Sequence, residues 1–262
     1  MPDTVAFFGQ KAITGPIPLT RPNIYDKDAL IILDPGRLTG ASPGVRPAVM
    51  ARGRAPYAAR NFDQVINDSL RPEFVWNGGP DNLGVLDFSG DRSLTTEGRV
   101  NINTGECTII LTVRIRAYGP TSSNLRILEP GDTPGGSPAI RPVADADGVT
   151  NPRVAVFASG ATGVYVPTSN PNDWKVIGAS ISSTGPSYTY KTGDALHTRA
   201  AAYPEVTEIR HPIFGCDILG RGLSTGGAGD FLLREARFFD RAMGADELTE
   251  DCQRLESLFG IT

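Results

Sequence analysis

Apolar and polar positions alternate most clearly near the C-terminal end, where Phe231 to Phe239 reads as a strand. At period 2, Leu232, Ala236 and Phe238 fall on one side, and Phe231, Leu233, Glu235, Arg237 and Phe239 on the other. Arg234 is the one break, a charge on the apolar side. After a turn at residues 240–243 the period becomes helical. Gly244 stands at the N-cap, and Asp246 and Glu247 place carboxylates at the positive end of the helix dipole. Leu248, Cys252, Leu255 and Phe259 recur on one face before Gly260 stops the helix.

Upstream the signal is strand-like. In residues 108–117, Ile109, Leu111, Val113 and Ile115 face one way and Thr112, Arg114 and Arg116 the other, the best single core segment. Further strands are expected at 84–88, 125–128, 153–158, 163–166, 175–181, 187–191 and 213–217, separated by turn-rich stretches such as 130–138 and 220–227. Residues 1–71 differ. Prolines at 2, 16, 18, 22, 35, 43, 47 and 56 punctuate them, and 29–33 is their only compact apolar run. Phe62, Val65, Ile66 and Leu70 predict one short helix before Pro72. The expected organisation is an irregular Pro-rich arm with a short helix over 1–71, then a sandwich over 72–262.

Composition agrees with many turns and short strands: the 262 residues include 30 Gly and 21 Pro. All-β sandwiches of ~200 to 250 residues commonly form one domain. A net charge of -4 gives no basic footprint for nucleic acid. No apolar run approaches the ~20 residues that cross a bilayer. Met1-Pro2-Asp3-Thr4-Val5 lacks the basic start and apolar core of a secretory signal, so synthesis in a cytoplasm is expected. Cys107, Cys216 and Cys252, odd in number and widely spaced, read as free thiols, with one disulfide plus one thiol as the alternative.

Glu235-Ala236-Arg237-Phe238-Phe239-Asp240-Arg241-Ala242-Met243, running into an acidic helix start, resembles the closing segment of concanavalin A-like, laminin G-like jelly-roll domains. Leu86-Asp87-Phe88-Ser89-Gly90-Asp91 resembles the early turn of those domains, and residues 108–117 their long central strand. Met243, where the pattern carries Leu, is a mild departure. The resemblance spans roughly 72–262 and implies an all-β fold, a two-sheet antiparallel jelly-roll sandwich with a short C-terminal helix. It leaves function open.

Catalytic patterns are missing. The Glu-x-Asp-x-x-Glu arrangement of related glucanases is absent, and Glu205 and Glu208, three apart, would face opposite sides of a strand. His197 and His211 have no companions at metal-ligand spacing. Gly226-Gly227-Ala228-Gly229 lacks the Lys and Ser/Thr of a phosphate loop. Calcium is a candidate cofactor through Asp145 and Asp147, or through Asn170, Asn172 and Asp173, although Asp and Asn are also turn formers. For sugar, Trp174 beside Asn172 and Asp173 combines an aromatic face with amide and carboxylate groups. In the resembled domains a Trp opening such a strand packs at the sandwich edge. Trp76, Tyr188 and Tyr190 are weaker candidates.

Three readings follow. The first is a non-enzymatic structural or adhesion component of a bacteriophage-like particle, because jelly-roll modules of this type recur on tails, baseplates and head fibres. It implies localisation in a virion, other virion proteins as partners, self-association as trimers or a ring, and contact with host surface polysaccharide. The alternative is a soluble lectin-like module that binds glycan through Asn172, Asp173 and Trp174. The third is a polysaccharide-cleaving enzyme on the same scaffold.

Overall fold

The computed structural model describes residues 28–37, 53, 59–60, 71–90, 92–96, 106–120, 127–130, 139–145, 147, 150–157, 164–168, 170–203, 212–215 and 230–262. Its strands are β1 (Ile31–Leu33), β2 (Ala59–Arg60), β3 (Glu73–Val75), β4 (Val85–Asp87), β5 (Leu94–Thr96) and β6 (Cys107–Ile115). They continue with β7 (Gly119–Pro120), β8 (Leu128–Pro130), β9 (Ala139–Ala144), β10 (Arg153–Phe157) and β11 (Val164–Pro167). The last are β12 (Trp174–Ile181), β13 (Ser187–Lys191), β14 (His197–Arg199), β15 (Pro212–Phe214) and β16 (Phe231–Phe239), followed by helix α1 (Ala245–Phe259).

Among the described residues these strands form two eight-stranded sheets. Sheet I runs β14-β13-β12-β6-β16-β4-β3, with β1 also on β16, and sheet II runs β11-β10-β9-β8-β15-β5-β2, with β7 on β9. The pairings are antiparallel except for β7 with β9. The all-β sandwich with a C-terminal helix is therefore present. Ile109, Leu111, Val113 and Ile115 of β6 face the inter-sheet core, with Ile177 and Ala179 of β12 and Ile140, Val154 and Phe214 from sheet II. On the outer face of sheet I, Leu248, Cys252, Leu255 and Phe259 of α1 cover Ile110, Val176 and Phe239. Gly244 is the N-cap and Gly260 the left-handed C-cap at φ 66°, as the sequence pattern required.

The side assignment within β16 needs correcting. A bulge between Leu233 and Glu235 opposes an extra residue, Arg234, to the continuous ladder of β6. The phase flips there. Phe231 and Leu233 share the inter-sheet core with Ala236 and Phe238, whereas period 2 alone placed them opposite.

Arg234 is 2% exposed. Its guanidinium forks onto Asp81, with Nε 3.0 Å from Oδ1 and Nη2 2.8 Å from Oδ2, and its Nη1 donates to Asp34. The backbone of Gly36 lies so close that a Cβ there would sit 2.4 Å from the guanidinium carbon. The Phe259 ring lies 4.8 Å from that carbon. Burial alone would lower this guanidinium, but Asp81 and Asp34 outweigh it and hold it charged above its ordinary range.

Two pieces of the proline-rich lead-in are hydrogen-bonded into the sandwich. β1 pairs with β16 from Ile31 opposite Phe238 to Leu33 opposite Ala236, and β2 pairs with β5. The helix expected at 61–70 lies outside the described residues, as does most of the arm. Asp87 begins the early turn by accepting the Ser89 N–H at 2.8 Å and pairs with Arg116, so this motif is a structural corner. Strands β1, β2, β5, β7, β9 and β14 fall outside the stretches where the sequence pattern predicts strands. Pro142 interrupts the alternation of β9; it pairs with Val154 of β10, while the opposite edge meets β8 only at Ile140 and β7 from Val143. Its missing N–H thus costs no ladder bond.

Helix α1 approaches sheet I most closely at Gly178, where a Cβ would lie 2.6 Å from Cys252 Sγ and 2.9 Å from Leu248 Cδ1. Gly178→Ala is expected to destabilise by about 1–3 kcal/mol through overpacking, read from urea unfolding. Arg234→Met removes the buried counter-charge of Asp81 and Asp34 and leaves Asp34, with a side chain 3% exposed, only the exposed Arg37 at 2.7 Å. The expected loss is about 3–5 kcal/mol in the same assay.

Candidate functional site

The sequence candidates Asn172, Asp173 and Trp174 stand together at the start of β12. The turn that carries them is tied down by its backbone. Arg114 Nε donates to Asn172 O at 2.7 Å, and Tyr118 Oη donates to Pro171 O at 3.2 Å. Lys175 Nζ donates to Asp173 O at 3.1 Å and also to Asn170 O. With the carbonyls turned to these three side chains, Asn172 and Asp173 are left exposed. Trp174 is half-buried, packs against the α1 side of sheet I, and lies opposite Arg114 of β6. Edge packing and partial exposure coexist at this ring.

A cleft of about 60 Å³ opens beside the turn, lined by Asn170, Asp173, Trp174, Lys175, Lys191 and Thr192, among others. Sequence reasoning did not single out its two lysines. Both are almost fully buried, at 4% and 3% exposure. Burial pushes the Lys175 ammonium down to about 8, Lys191 adding to this and Asp173 opposing it. Burial likewise lowers Lys191, against the pull of Asp194. A strand-end Lys in an otherwise apolar stretch was the only available signal for Lys175. For Arg114, Tyr118 and Lys191 the signal is tertiary.

A larger groove of about 260 Å³ lies between Asp28 and α1, with Phe239, Arg241, Glu247, Glu250, Asp251 and Arg254 around it. Both of its cations are paired within it: Arg241 forks onto Glu247, and Arg254 meets Asp251 at 2.9 Å. The hydrogen bond from Arg241 comes first in holding the Glu247 carboxyl below its ordinary range. Asp28 and Glu250 leave the lining net acidic, and its one aromatic ring, Phe239, is buried, so the groove offers no exposed aromatic face.

The other candidates have structural settings. Asp145 accepts from Arg153 at 2.8 Å and Asn151 at 2.6 Å, and Asp147 accepts the Thr150 N–H at 2.8 Å, so these acids shape their own turn. Among the described residues no group of three or more His, Cys, Asp or Glu could hold a metal ion. His197 sits in β14, 3.5 Å from Asp194. Trp76 packs edge-on to Phe74 at 5.0 Å. Tyr190 is buried and donates to Glu256 at 2.9 Å, beside half-buried Tyr188. Cys107 and Cys252 are buried free thiols. Cys216, Glu205, Glu208, His211 and residues 226–229 lie outside the described residues. Among the described residues no helix is long and apolar enough to cross a membrane.

No protein-family model matches the chain, and no curated protein does. Solved structures do. The chain is similar to the binding domain of botulinum neurotoxin DC in complex with SialylT, at 12% identity and a TM-score of 0.56, over 90% of this chain and 51% of that one. The same domain in complex with rat synaptotagmin II gives 12% identity and 0.56, over 89% and 52%. A botulinum neurotoxin type C structure, whose cell entry is described as dependent upon interaction with two ganglioside molecules, gives 12% and 0.55, over 88% and 52%. The fold is thus a β-sandwich similar to part of these binding domains. The chain spans about half the length of these neighbours.

Lys175 supplies a pH signature. Its folded value, about 8, lies below the ordinary 10.5, so between these limits the unfolded chain holds more protons and stability rises with pH. Relative to Lys175→Met, the wild type is expected to gain stability from pH 8 to 10.5 and to show no such gain from pH 6 to 7, measured by urea unfolding across pH.

Proposed function

We propose that the protein is a non-enzymatic glycan-binding module in which Trp174 offers a ring face to a sugar and Asn172 and Asp173 bond its hydroxyls. One observation carries this reading. The 170–174 turn is immobilised from beneath through its carbonyls, so its polar side chains and half-buried Trp project as a preorganised group. A prepaid ordering cost is what a shallow sugar site needs, since few contacts repay it. The structural neighbours are binding domains, two of them described with SialylT or ganglioside, and this supports the glycan reading at the level of fold.

The particle-component reading, with virion partners and trimers, has no comparable support. A lectin-like adhesin on a particle surface would use the same turn, so the two readings share this site.

The test is a panel of immobilised neutral and acidic oligosaccharides probed with the full chain and with Trp174→Ala. The wild type is expected to bind at least one class, and loss of the ring to weaken that binding about tenfold, the order expected for a stacked aromatic. Unchanged unfolding of the variant would show that the effect is local. A panel without binding, or binding indifferent to Trp174, overturns the proposal.

A further inference from the structure

We infer that the cleft beside the 170–174 turn is an anion pocket in which Lys175 and Lys191 receive the carboxylate of an acidic sugar, of the uronic acid class. The inference rests on the glycan-binding reading and names the class of sugar.

Lys175 and Lys191 line one cleft and are nearly excluded from solvent. Their neutralisation is incomplete. The hydrogen bonds of Lys175 Nζ go to two neutral carbonyls, Asn170 O and Asp173 O. Lys191 Nζ donates to Thr192 O at 3.1 Å, and its nearest carboxylate, Asp194, stands 3.9 Å away, beyond hydrogen-bond reach. An ammonium has three donors, so among the described residues each lysine keeps at least one without an acceptor. Burying a cation whose counter-charge is distant or exposed is expensive. An incoming carboxylate would supply the missing charge and accept charge-assisted bonds from both lysines.

The other buried cations among the described residues show the contrast. Arg234 has Asp34 and Asp81 as counter-ions, and Arg237 has Glu235. The carboxylates that act on the lysine pair are looser: Asp194, 3.9 Å from Lys191, and exposed Asp173. Asp173 and Thr262, whose carboxylate ends the sequence, line the cleft as well, but both are exposed, and their attraction is shared with solvent.

The cleft is small, about 60 Å³. In this pose the carboxylate points to the two lysines and the ring lies at the mouth of the cleft, against Trp174 and Asp173 of the lining and the adjacent Asn172. A uronic acid, whose carboxylate projects from the ring on one carbon, matches a narrow charged cleft beside an aromatic face.

The experiment is calorimetric titration of the full chain with trigalacturonate and with its fully methyl-esterified form, which keeps the backbone and removes the charge. The wild type is expected to prefer the acid by about tenfold or more, on the order of one charge-assisted contact. Lys191→Gln is expected to erase that preference. This variant carries the test because Lys191 holds only the neighbouring Thr192 carbonyl and a loose ion pair with Asp194, whereas Lys175→Gln would also loosen the 170–174 turn. Equal affinity of the wild type for acid and ester, or a preference that survives Lys191→Gln, overturns the anion pocket. If acid and ester bind equally but depend on Trp174, the glycan-binding reading stands without it. If neither trimer binds and the wider panel is also silent, both fall.

Discussion

Arg234 sits where the chain has one residue too many for its central strand. The bulge in β16 ejects it from the ladder, and its guanidinium joins segments that are far apart in sequence. Asp34 closes β1, and Asp81 lies in the turn between β3 and β4. Phe259 caps the group from the last turn of α1. A buried pair of this kind adds little net stability over apolar substitutes, while the loss of one partner is costly. Its effect is therefore on placement. β4 pairs with β16 at Leu232 and Leu233, and β1 pairs with it from Ala236 to Phe238, so both occupy one edge of the strand on either side of the bulge. Without a counter-charge at that junction, the lead-in has less reason to dock where it does.

The site inverts the same chemistry. At Arg234 two carboxylates raise the cation's proton affinity, whereas at Lys175 burial, with Lys191 beside it, outweighs Asp173 and lowers it. One arrangement locks a core; the other keeps positive charge at a solvent-facing cleft without discharging it. Arg114, Tyr118 and Lys175 all bind main-chain oxygens, so the turn keeps its shape while its side chains stay free to meet a ligand. The three anchors stem from β6, the segment after it and β12. Rigid central strands of sheet I thus support a loop, the usual division between scaffold and recognition.

The long periodic elements were legible before any coordinates. β6, β12, β13 and α1 lie where alternation or helical spacing put them, because each buries one side along its whole length. β9 was hidden by Pro142, which fits only because its N–H side faces the gap between β8 and β7. β14 was hidden by brevity, with the polar sequence His197-Thr198-Arg199. Asn172, Asp173 and Trp174 could be grouped because they are consecutive. Lys191 could not, since it reaches the same cleft from the neighbouring strand, and Arg114 approaches from 58 residues away.

What the sequence alone determined is the set of local patterns: an all-β chain, its two strongest strands, and a capped C-terminal helix. These depend on spacing within a dozen residues, where backbone geometry dictates which side chains share a face. The phase of β16 beyond Arg234, the docking of β1 and β2 and the pairing of two lysines in one cleft were decided only by the tertiary structure. Each depends on contacts between segments tens to hundreds of residues apart. Whether a charge in a strand is an error of pattern or a buried junction depends on the counter-charge that folding brings to it. Arg234 found two in direct contact, and the lysines beside Trp174 found carbonyls, with Asp194 and Asp173 standing farther off or exposed.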